Sequence, residues 1–110
     1  MPIVRVREAT AVNIMPALDT GALGYHAPNV DTPEQARIAV DAGRYTPLGN
    51  RGFAPTHRAA NYGMMDKQEY IDKANKEILT IIHCETMESL GNLDEILKLE
   101  ELDVVFAGNA

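Results

Sequence analysis

The stretch ILTIIHCETMESLGNLDEI, residues 78–96, decides the fold because it joins a buried strand directly to a helix. Residues 78–82 are all apolar or β-branched, which is typical of a strand covered on both faces. The strand ends in the polar triplet His83, Cys84 and Glu85. A strand that runs into a helix in this way is the repeating unit of a parallel α/β sheet.

The same alternation extends outward over the rest of the chain. The expected strands lie within residues 2–8, 22–30, 79–83 and 102–108. The expected helices lie within 10–21, 31–43, 66–78 and 89–99, the last broken or bent near Gly91. Strands that alternate with helices need right-handed crossover connections. The order therefore predicts an α/β fold with parallel strands, either a small open sheet or half of an eight-stranded barrel.

Local signals mark the helix at 31–43 most clearly. Thr32 is the expected N-cap, Pro33 occupies the first helical position, and Gln35 is placed to complete a capping box. Pro16 stands inside the first expected helix and argues against it. Residues 44–63 have no regular period, so they form either a functional connection or a segment with short helical pieces.

Composition limits the classes of protein and partner. The length of 110 residues suits one domain. The net charge of −6 disfavours a nucleic-acid backbone as partner. No apolar run approaches the ~20 residues of a membrane span, and the N-terminus lacks the pattern of a signal peptide. Cys84 is the only cysteine, so an internal disulfide is excluded and a cytoplasmic location is expected.

Candidate functional residues are those at the carboxyl ends of the strands, where parallel α/β folds bind ligands. These residues are Arg5, Pro28, Asn29, His83, Glu85 and the segment Gly108, Asn109 and Ala110. His83 and Glu85 are two positions apart, so they share a face of the strand while Cys84 points the other way. Cys84 is interpreted as a small buried residue rather than a nucleophile.

The residue types leave alternatives open at each position. Glu85 is either a hard oxygen ligand for Mg²⁺ or Mn²⁺, or a residue that caps the next helix or pairs with a lysine. Arg5 either points inward to an anionic partner or lies at an exposed edge with its stem packed. His83 is a base, a group near a ligand, or a core histidine. The segment LGNRG at 48–52 could contact an anion, but it lacks the P-loop pattern.

Several segments together resemble the HpcH/HpaI aldolase family. They are PIVRV, ALDTGALGYHAPNVDTPEQARIAV, GRYTPLGNRGFA, RAANYG, IIHCETMESLGNLDEIL and DVVFAGNA. The resemblance runs the length of the chain, and the order and separation of the RYTPLGNRG and ETMESLGNLDEIL blocks make it specific.

The resemblance implies a metal-dependent (class II) pyruvate aldolase on a (β/α)₈ TIM barrel, a fold of about 250 residues. The chain is similar to the part from strand three to strand six. We therefore expect residues 1–110 to be a partial barrel domain, truncated at both ends. Expected substrates are pyruvate and an aldehyde, and a homo-oligomer is expected.

Roles follow from the matched positions. By resemblance, Arg5 binds the keto oxygen of the substrate and steadies the enolate, and Glu85 is the first carboxylate ligand of Mg²⁺ or Mn²⁺. His83 falls where family members often have Gln, near the metal-bound water, and is a candidate catalytic residue. Gly108, Asn109 and Ala110 match the residues whose backbone N–H groups hold the substrate carboxylate.

Departures from the family pattern matter as well. Asn109 replaces the usual Pro, and His83 replaces Gln. The second metal carboxylate and the catalytic histidine of the family would lie outside residues 1–110, so we expect the chain alone to be inactive. The alternatives are a non-catalytic half-barrel that assembles with itself or a partner chain, and a citrate-lyase-like enzyme acting on thioesters, which the RYTPLGNRG block fits less well.

Overall fold

The computed structural model describes residues 3–45, 48–52 and 66–107 of the chain. Its elements, in chain order, are β1 (Ile3–Arg5), α1 (Ala11–Asp19), β2 (Gly24–Ala27), α2 (Pro33–Ala42), α3 (Lys67–Glu77), β3 (Leu79–Cys84), α4 (Met87–Gly91), α5 (Leu93–Ile96) and β4 (Val104–Ala107). The predicted alternation of strands and helices is confirmed.

The four strands form one parallel sheet in the order β1-β2-β3-β4. Right-handed crossovers that always step to the next strand place every helix on the same face of a sheet. In a doubly wound sheet the strand order reverses, and helices cover both faces. The sheet is therefore an arc of the singly wound type that closes into barrels, and the predicted α/β barrel fragment is confirmed as the fold.

The two faces of the sheet differ sharply in burial. One face, called the covered face, packs under the helices and includes Tyr25, Ala27, Ile82 and Cys84, which are fully buried. The opposite face, called the open face, includes Arg5, His26, His83 and Phe106, which alternate with them along the strands. Three large apolar residues of the open face stay exposed: Ile3 at 37%, Val104 at 40% and Phe106 at 53%.

Helix α2 begins where the sequence predicts. The Thr32 hydroxyl accepts a hydrogen bond from the Gln35 backbone N–H at 3.1 Å, and Pro33 is the first helical residue. The predicted capping box is wrong in one detail. The Gln35 side chain reaches one residue further back and accepts from the Asp31 N–H at 2.7 Å, instead of from Thr32.

The predicted helix at 89–99 is wrong at both ends. Thr86 and Ser89 exchange side-chain-to-backbone hydrogen bonds in a capping box, so α4 begins at Met87. Serine replaces the usual Glu or Gln of that motif, which hid the signal in the sequence. The predicted break near Gly91 is confirmed, because α5 starts anew at Leu93.

Other boundaries differ from the sequence predictions by a few residues. Helix α1 runs unbroken through Pro16, whose side chain is exposed. Strands β2 and β4 are shorter than the predicted ranges 22–30 and 102–108. Most of the predicted connection 44–63 lies outside the described residues.

An ionic contact ties the amino end of the sheet together. The Asp103 carboxylate, just before β4, accepts from the Thr80 N–H at 2.7 Å and from Arg44 Nη2 at 3.1 Å. The Arg44 side chain is almost fully buried, so its charge needs this partner. The contact aligns the start of β3 with the start of β4.

None of the described helices is long and apolar enough to span a bilayer.

Candidate functional site

Five side chains gather on the open face at the carboxyl ends of the strands. They are Arg5, His26, His83, Glu85 and Phe106, and are called the carboxyl-end cluster below. Strand register creates the group, because Arg5 lies opposite His26 and His83 lies opposite Phe106. Each pair therefore projects from the same face of neighbouring strands.

Two histidines are the centre of this cluster. His26 Nδ1 and His83 Nε2 are 2.8 Å apart, a hydrogen bond between residues 57 positions apart in the sequence. The Phe106 ring packs against both imidazoles, with centroids 5.9 Å from His26 and 5.2 Å from His83. The three rings form a compact aromatic platform next to Glu85.

Glu85 lies directly beyond the end of β3. Its Oε1 is 3.3 Å from His83 Nδ1, and the two side chains are 22% and 16% exposed. The N-cap of α4 is Thr86, which uses its own hydroxyl. The interpretation of Glu85 as a helix cap is therefore wrong, and its carboxylate is left at the mouth of the strand beside the histidine pair.

Arg5 is the last residue of β1, which lies at the edge of the sheet, and its side chain is exposed. No ion pair joins it to a carboxylate of the described segments. Arg5 projects from the open face, on the same side of the sheet as His26. Its guanidinium is close enough to His26 to act on it electrostatically.

The pKa of His26 is lowered below its ordinary value of 6.5. The largest cause is desolvation, followed by the neighbouring His83 and the positive charge of Arg5. All three disfavour the imidazolium form. His26 is therefore neutral at neutral pH, carrying a hydrogen on only one ring nitrogen.

The loops around the cluster are joined to each other. The Val30 N–H donates to the His83 carbonyl at 3.1 Å, and the Thr86 hydroxyl donates to Asp31 Oδ1 at 2.6 Å. Asn92 Nδ2 donates to the Asp31 carbonyl at 2.9 Å. The βα-loops after β2 and β3 are thus held against each other, which fixes the backbone that carries His83 and Glu85.

Cys84 lies on the covered face and is fully buried. Burial raises the pKa of its thiol, and the Asp31 charge raises it further. A buried thiol with a raised pKa is a poor nucleophile. The interpretation of Cys84 as a small buried residue is confirmed.

Arg51 of the 48–52 segment lies away from the cluster. Its Nη2 is 2.8 Å from Asp19 Oδ1, and its guanidinium carbon is 4.5 Å from the centre of the Tyr45 ring. It lines a cavity of about 120 Å³ with residues 21–23, at the amino end of the sheet. The segment 48–52, which was predicted to contact an anion, therefore lies apart from the strand-end residues.

The carboxylate oxygens of Glu85 are ligands of the type that a hard divalent cation prefers, but a single carboxylate is few for such a site. Within the described residues, no three His, Cys, Asp or Glu side chains come together as a metal-binding group. A magnesium site needs only one or two protein carboxylates, because water and substrate oxygens complete its shell. Glu85, partly exposed at a strand end, fits that limited role. Gly108, Asn109 and Ala110, the predicted substrate-binding residues, lie outside the described residues.

Two members of the cluster, His26 and Phe106, were not marked as functional by the sequence, and His26 is the one with polar chemistry. It stands in no motif, and its neighbour on the covered side, Tyr25, dominates the strand pattern. The signal that could have found it is the alternation of side chains along a strand. His26 follows the buried Tyr25 and must therefore face the open side. Its pairing with His83 depends on strand register, which a single sequence does not specify.

Comparison with known proteins gives the family. The chain is 42% identical over 107 residues to a 2-dehydro-3,6-dideoxy-6-sulfogluconate aldolase of Pseudomonas putida, covering 97% of this chain and 41% of that protein. It is 43% identical over 110 residues to a 2-keto-3-deoxy-L-rhamnonate aldolase of Salmonella gallinarum, covering 99% and 40%. The chain thus spans about two fifths of the length of these relatives.

A solved structure shares the fold. The crystal structure of an HpcH/HpaI aldolase/citrate lyase family protein from Burkholderia cenocepacia J2315 superposes with a TM-score of 0.87 and 32% identity, covering 97% of this chain and 42% of that one. The family model described as HpcH/HpaI aldolase/citrate lyase matches residues 1–110. Sequence and fold agree, and this chain belongs to the HpcH/HpaI aldolase/citrate lyase family.

Proposed function

We propose that this chain carries part of the active site of a metal-dependent aldolase. The reaction is the reversible cleavage of a 2-keto-3-deoxy or 4-hydroxy-2-oxo acid to pyruvate and an aldehyde. The observation that supports it most is the placement of Arg5 at the carboxyl end of β1, and of His83 and Glu85 at that of β3, on the same open face. The names of the two aldolase relatives support a keto acid as substrate.

Glu85 is the proposed metal ligand, holding Mg²⁺ or Mn²⁺ through a carboxylate oxygen. Such a cation, when bound, acts as a Lewis acid on the keto oxygen of the substrate. The partial exposure of Glu85 leaves room for ligands from outside the chain.

Arg5 is the proposed partner of the substrate's keto oxygen. A guanidinium offers several N–H donors and a fixed positive charge, which stabilise negative charge that develops on oxygen during reaction. Because Arg5 is exposed and unpaired among the described residues, its donors are available for an anionic ligand.

His83 is proposed to orient the Glu85 carboxylate through the 3.3 Å contact. Gly108, Asn109 and Ala110 are proposed to donate backbone N–H groups to the substrate carboxylate. Family resemblance alone supports that assignment.

Two further proposals concern the chain as a whole. We propose that residues 1–110 alone turn over substrate slowly or not at all, because the second carboxylate and the catalytic base of the family pattern are not among them. When one of several groups that act together in catalysis is missing, the reaction rate falls by orders of magnitude.

A reducing cytoplasm is the proposed location of the protein, in keeping with the free thiol of Cys84.

The test is Mn²⁺ binding by isothermal titration calorimetry, with and without pyruvate. It compares the wild-type chain with Glu85→Gln, which keeps the shape of the side chain and removes its charge. Glu88→Gln is the matched control, because Glu88 is an exposed acid three residues away. We expect pyruvate to strengthen Mn²⁺ binding to the wild type and to Glu88→Gln, and Glu85→Gln to bind at least about tenfold more weakly.

Equal binding by wild type and Glu85→Gln would contradict the role of Glu85. Binding that ignores pyruvate would contradict a site shared by metal and keto acid. Aldol cleavage by the isolated chain at the rate of a complete enzyme would contradict the proposed inactivity.

A second candidate is a non-catalytic half-barrel that forms a homo-oligomer or pairs with a partner chain. The observation that favours it is the open face, where Ile3, Val104 and Phe106 are 37–53% exposed. Exposed apolar surface of this kind promotes association. Sedimentation equilibrium distinguishes the cases, since a monomer at high concentration excludes self-assembly.

A further inference from the structure

We propose that His26 is a positioning residue of this site. It donates a hydrogen bond from Nδ1–H to Nε2 of His83 and thereby holds His83 in the tautomer whose Nδ1–H faces Glu85. The consequence for metal binding rests on the proposed function, whereas the tautomer itself is a property of the chain alone.

When both rings are neutral, the hydrogen bond between them has two assignments. The atoms are 2.8 Å apart, so one nitrogen donates and the other accepts. If His26 donates, His83 carries its hydrogen on Nδ1. If His83 donates, its hydrogen is on Nε2 and its Nδ1 bears a lone pair.

Glu85 decides between these assignments. Its Oε1 is 3.3 Å from His83 Nδ1. An ionised carboxylate only accepts hydrogen bonds, so a lone pair on Nδ1 would oppose it, while an N–H there is attracted. The arrangement in which His26 donates is therefore the stable one.

The surroundings of His26 agree with this assignment. Desolvation, His83 and the Arg5 charge keep its imidazole neutral. A chain of contacts then runs from His26 through His83 to Glu85, in which each ring fixes the next.

Phe106 provides the matched comparison. Its ring contacts both histidines, at centroid distances of 5.9 and 5.2 Å, but offers neither a donor nor an acceptor in the ring plane. It can hold the ring planes but cannot choose a tautomer. Phe106→Leu should therefore disturb packing near the pair without altering the position of the hydrogen on His83.

The experiment is a long-range ¹H–¹⁵N correlation of the histidine side chains in the ¹⁵N-labelled, metal-free chain. It is recorded above the ordinary histidine pKa. The variants are His26→Asn, which keeps a donor where Nδ1 lies, and His26→Gln, which moves the amide away from that point. His57→Gln assigns the remaining histidine.

We expect His83 in the wild type to show a protonated Nδ1 and an unprotonated Nε2. His26→Asn and Phe106→Leu should keep that pattern, and His26→Gln should lose it. A wild-type His83 protonated on Nε2 would overturn the proposal, as would an unchanged pattern in His26→Gln. Because His26→Asn retains the donor and His26→Gln retains polarity, general misfolding separates from loss of the hydrogen bond.

Mn²⁺ affinity gives the second readout. Loss of a group that orients a metal ligand weakens metal binding by roughly 10–100-fold, and we expect the lower end for His26→Gln, with His26→Asn near the wild type. If the wild type binds no Mn²⁺, the proposed function fails while the tautomer result stands. If it binds Mn²⁺ and His26→Gln binds equally well, His26 has no positioning role.

Discussion

The covered and open faces of the same four strands have opposite properties. The covered face is packed with apolar side chains, and its polar groups pair internally, as when the Tyr25 hydroxyl donates to the Ala39 carbonyl at 2.6 Å and accepts from Thr80. The open face carries the Arg5 guanidinium, two hydrogen-bonded imidazoles and a carboxylate, and the exposed Phe106 ring packs against both imidazoles. Adjacent residues of one strand therefore have different roles, one in packing and the next in the polar cluster.

The difference teaches how one strand can combine stability with chemistry. Burial on the covered face contributes the free energy of folding, because apolar area leaves water there. On the open face, polar groups remain partly hydrated and able to bind an external ligand. The comparison predicts that substitutions on the two faces separate stability from binding.

The largest expected effect is the loss of a covered side chain. Ile82 is fully buried between strand and helices. Ile82→Ala should lower the free energy of unfolding by about 2–5 kcal/mol, through lost burial and the cavity left behind. Urea denaturation followed by circular dichroism measures it.

Val104→Ala on the open face is the control for Ile82→Ala. Val104 is 40% exposed, so its truncation should cost under about 1 kcal/mol. If the two variants lose equal stability, the open face is buried in solution, and the contrast between the faces fails.

Alkaline pH should weaken the covered face through Tyr25. Burial is the main cause that raises the pKa of Tyr25 from 10.0 to about 12. Below pH 10 both the folded and unfolded states keep the phenol neutral. As pH rises from 10 to 12, the unfolded state ionises first, so stability falls by at most about 3 kcal/mol, at about 1.4 kcal/mol per pKa unit.

The comparison with Tyr25→Phe isolates that effect. At neutral pH this variant should be less stable than the wild type, because it loses the hydrogen bonds of the hydroxyl. The gap should narrow between pH 10 and 12, as only the wild type can ionise at this position. A gap that stays constant in urea denaturation over that range would show that Tyr25 keeps its ordinary pKa.

A smaller effect is expected at Gly43, which ends α2 against the covered face. A Cβ added there would lie 2.7 Å from Cζ of Tyr25. Gly43→Ala should therefore destabilise the chain by about 1–3 kcal/mol through overpacking. Thermal unfolding checks the expectation.

Gly91→Ala serves as the matched control, because nothing lies within 4 Å of a Cβ added at Gly91. That change should be neutral or stabilise by up to about 1 kcal/mol, since alanine loses less backbone entropy. If Gly91→Ala destabilises the chain while Gly43→Ala is neutral, the close packing of Gly43 against Tyr25 is contradicted.

Part of this contrast was accessible from the sequence. The alternation of elements, the start of α2 at Pro33 and the strand that ends before Glu85 follow from short-range signals, and all appear in the structure. The start of α4 was missed because Ser89 completes its capping box in place of an acid or amide. The face from which Arg5 projects depends on the pairing of β1 with β2, which puts Arg5 opposite His26.

By itself, the sequence determined the α/β class, the family and the residue types available at the strand ends, because these depend on local pattern and on long matched segments. Only the tertiary structure decided which of those residues meet. His26 and His83 are 57 positions apart, and their hydrogen bond exists because β2 and β3 pair in one register. A shift of that register by one residue would turn every side chain to the other face, and this choice is made by the packing of the covered core.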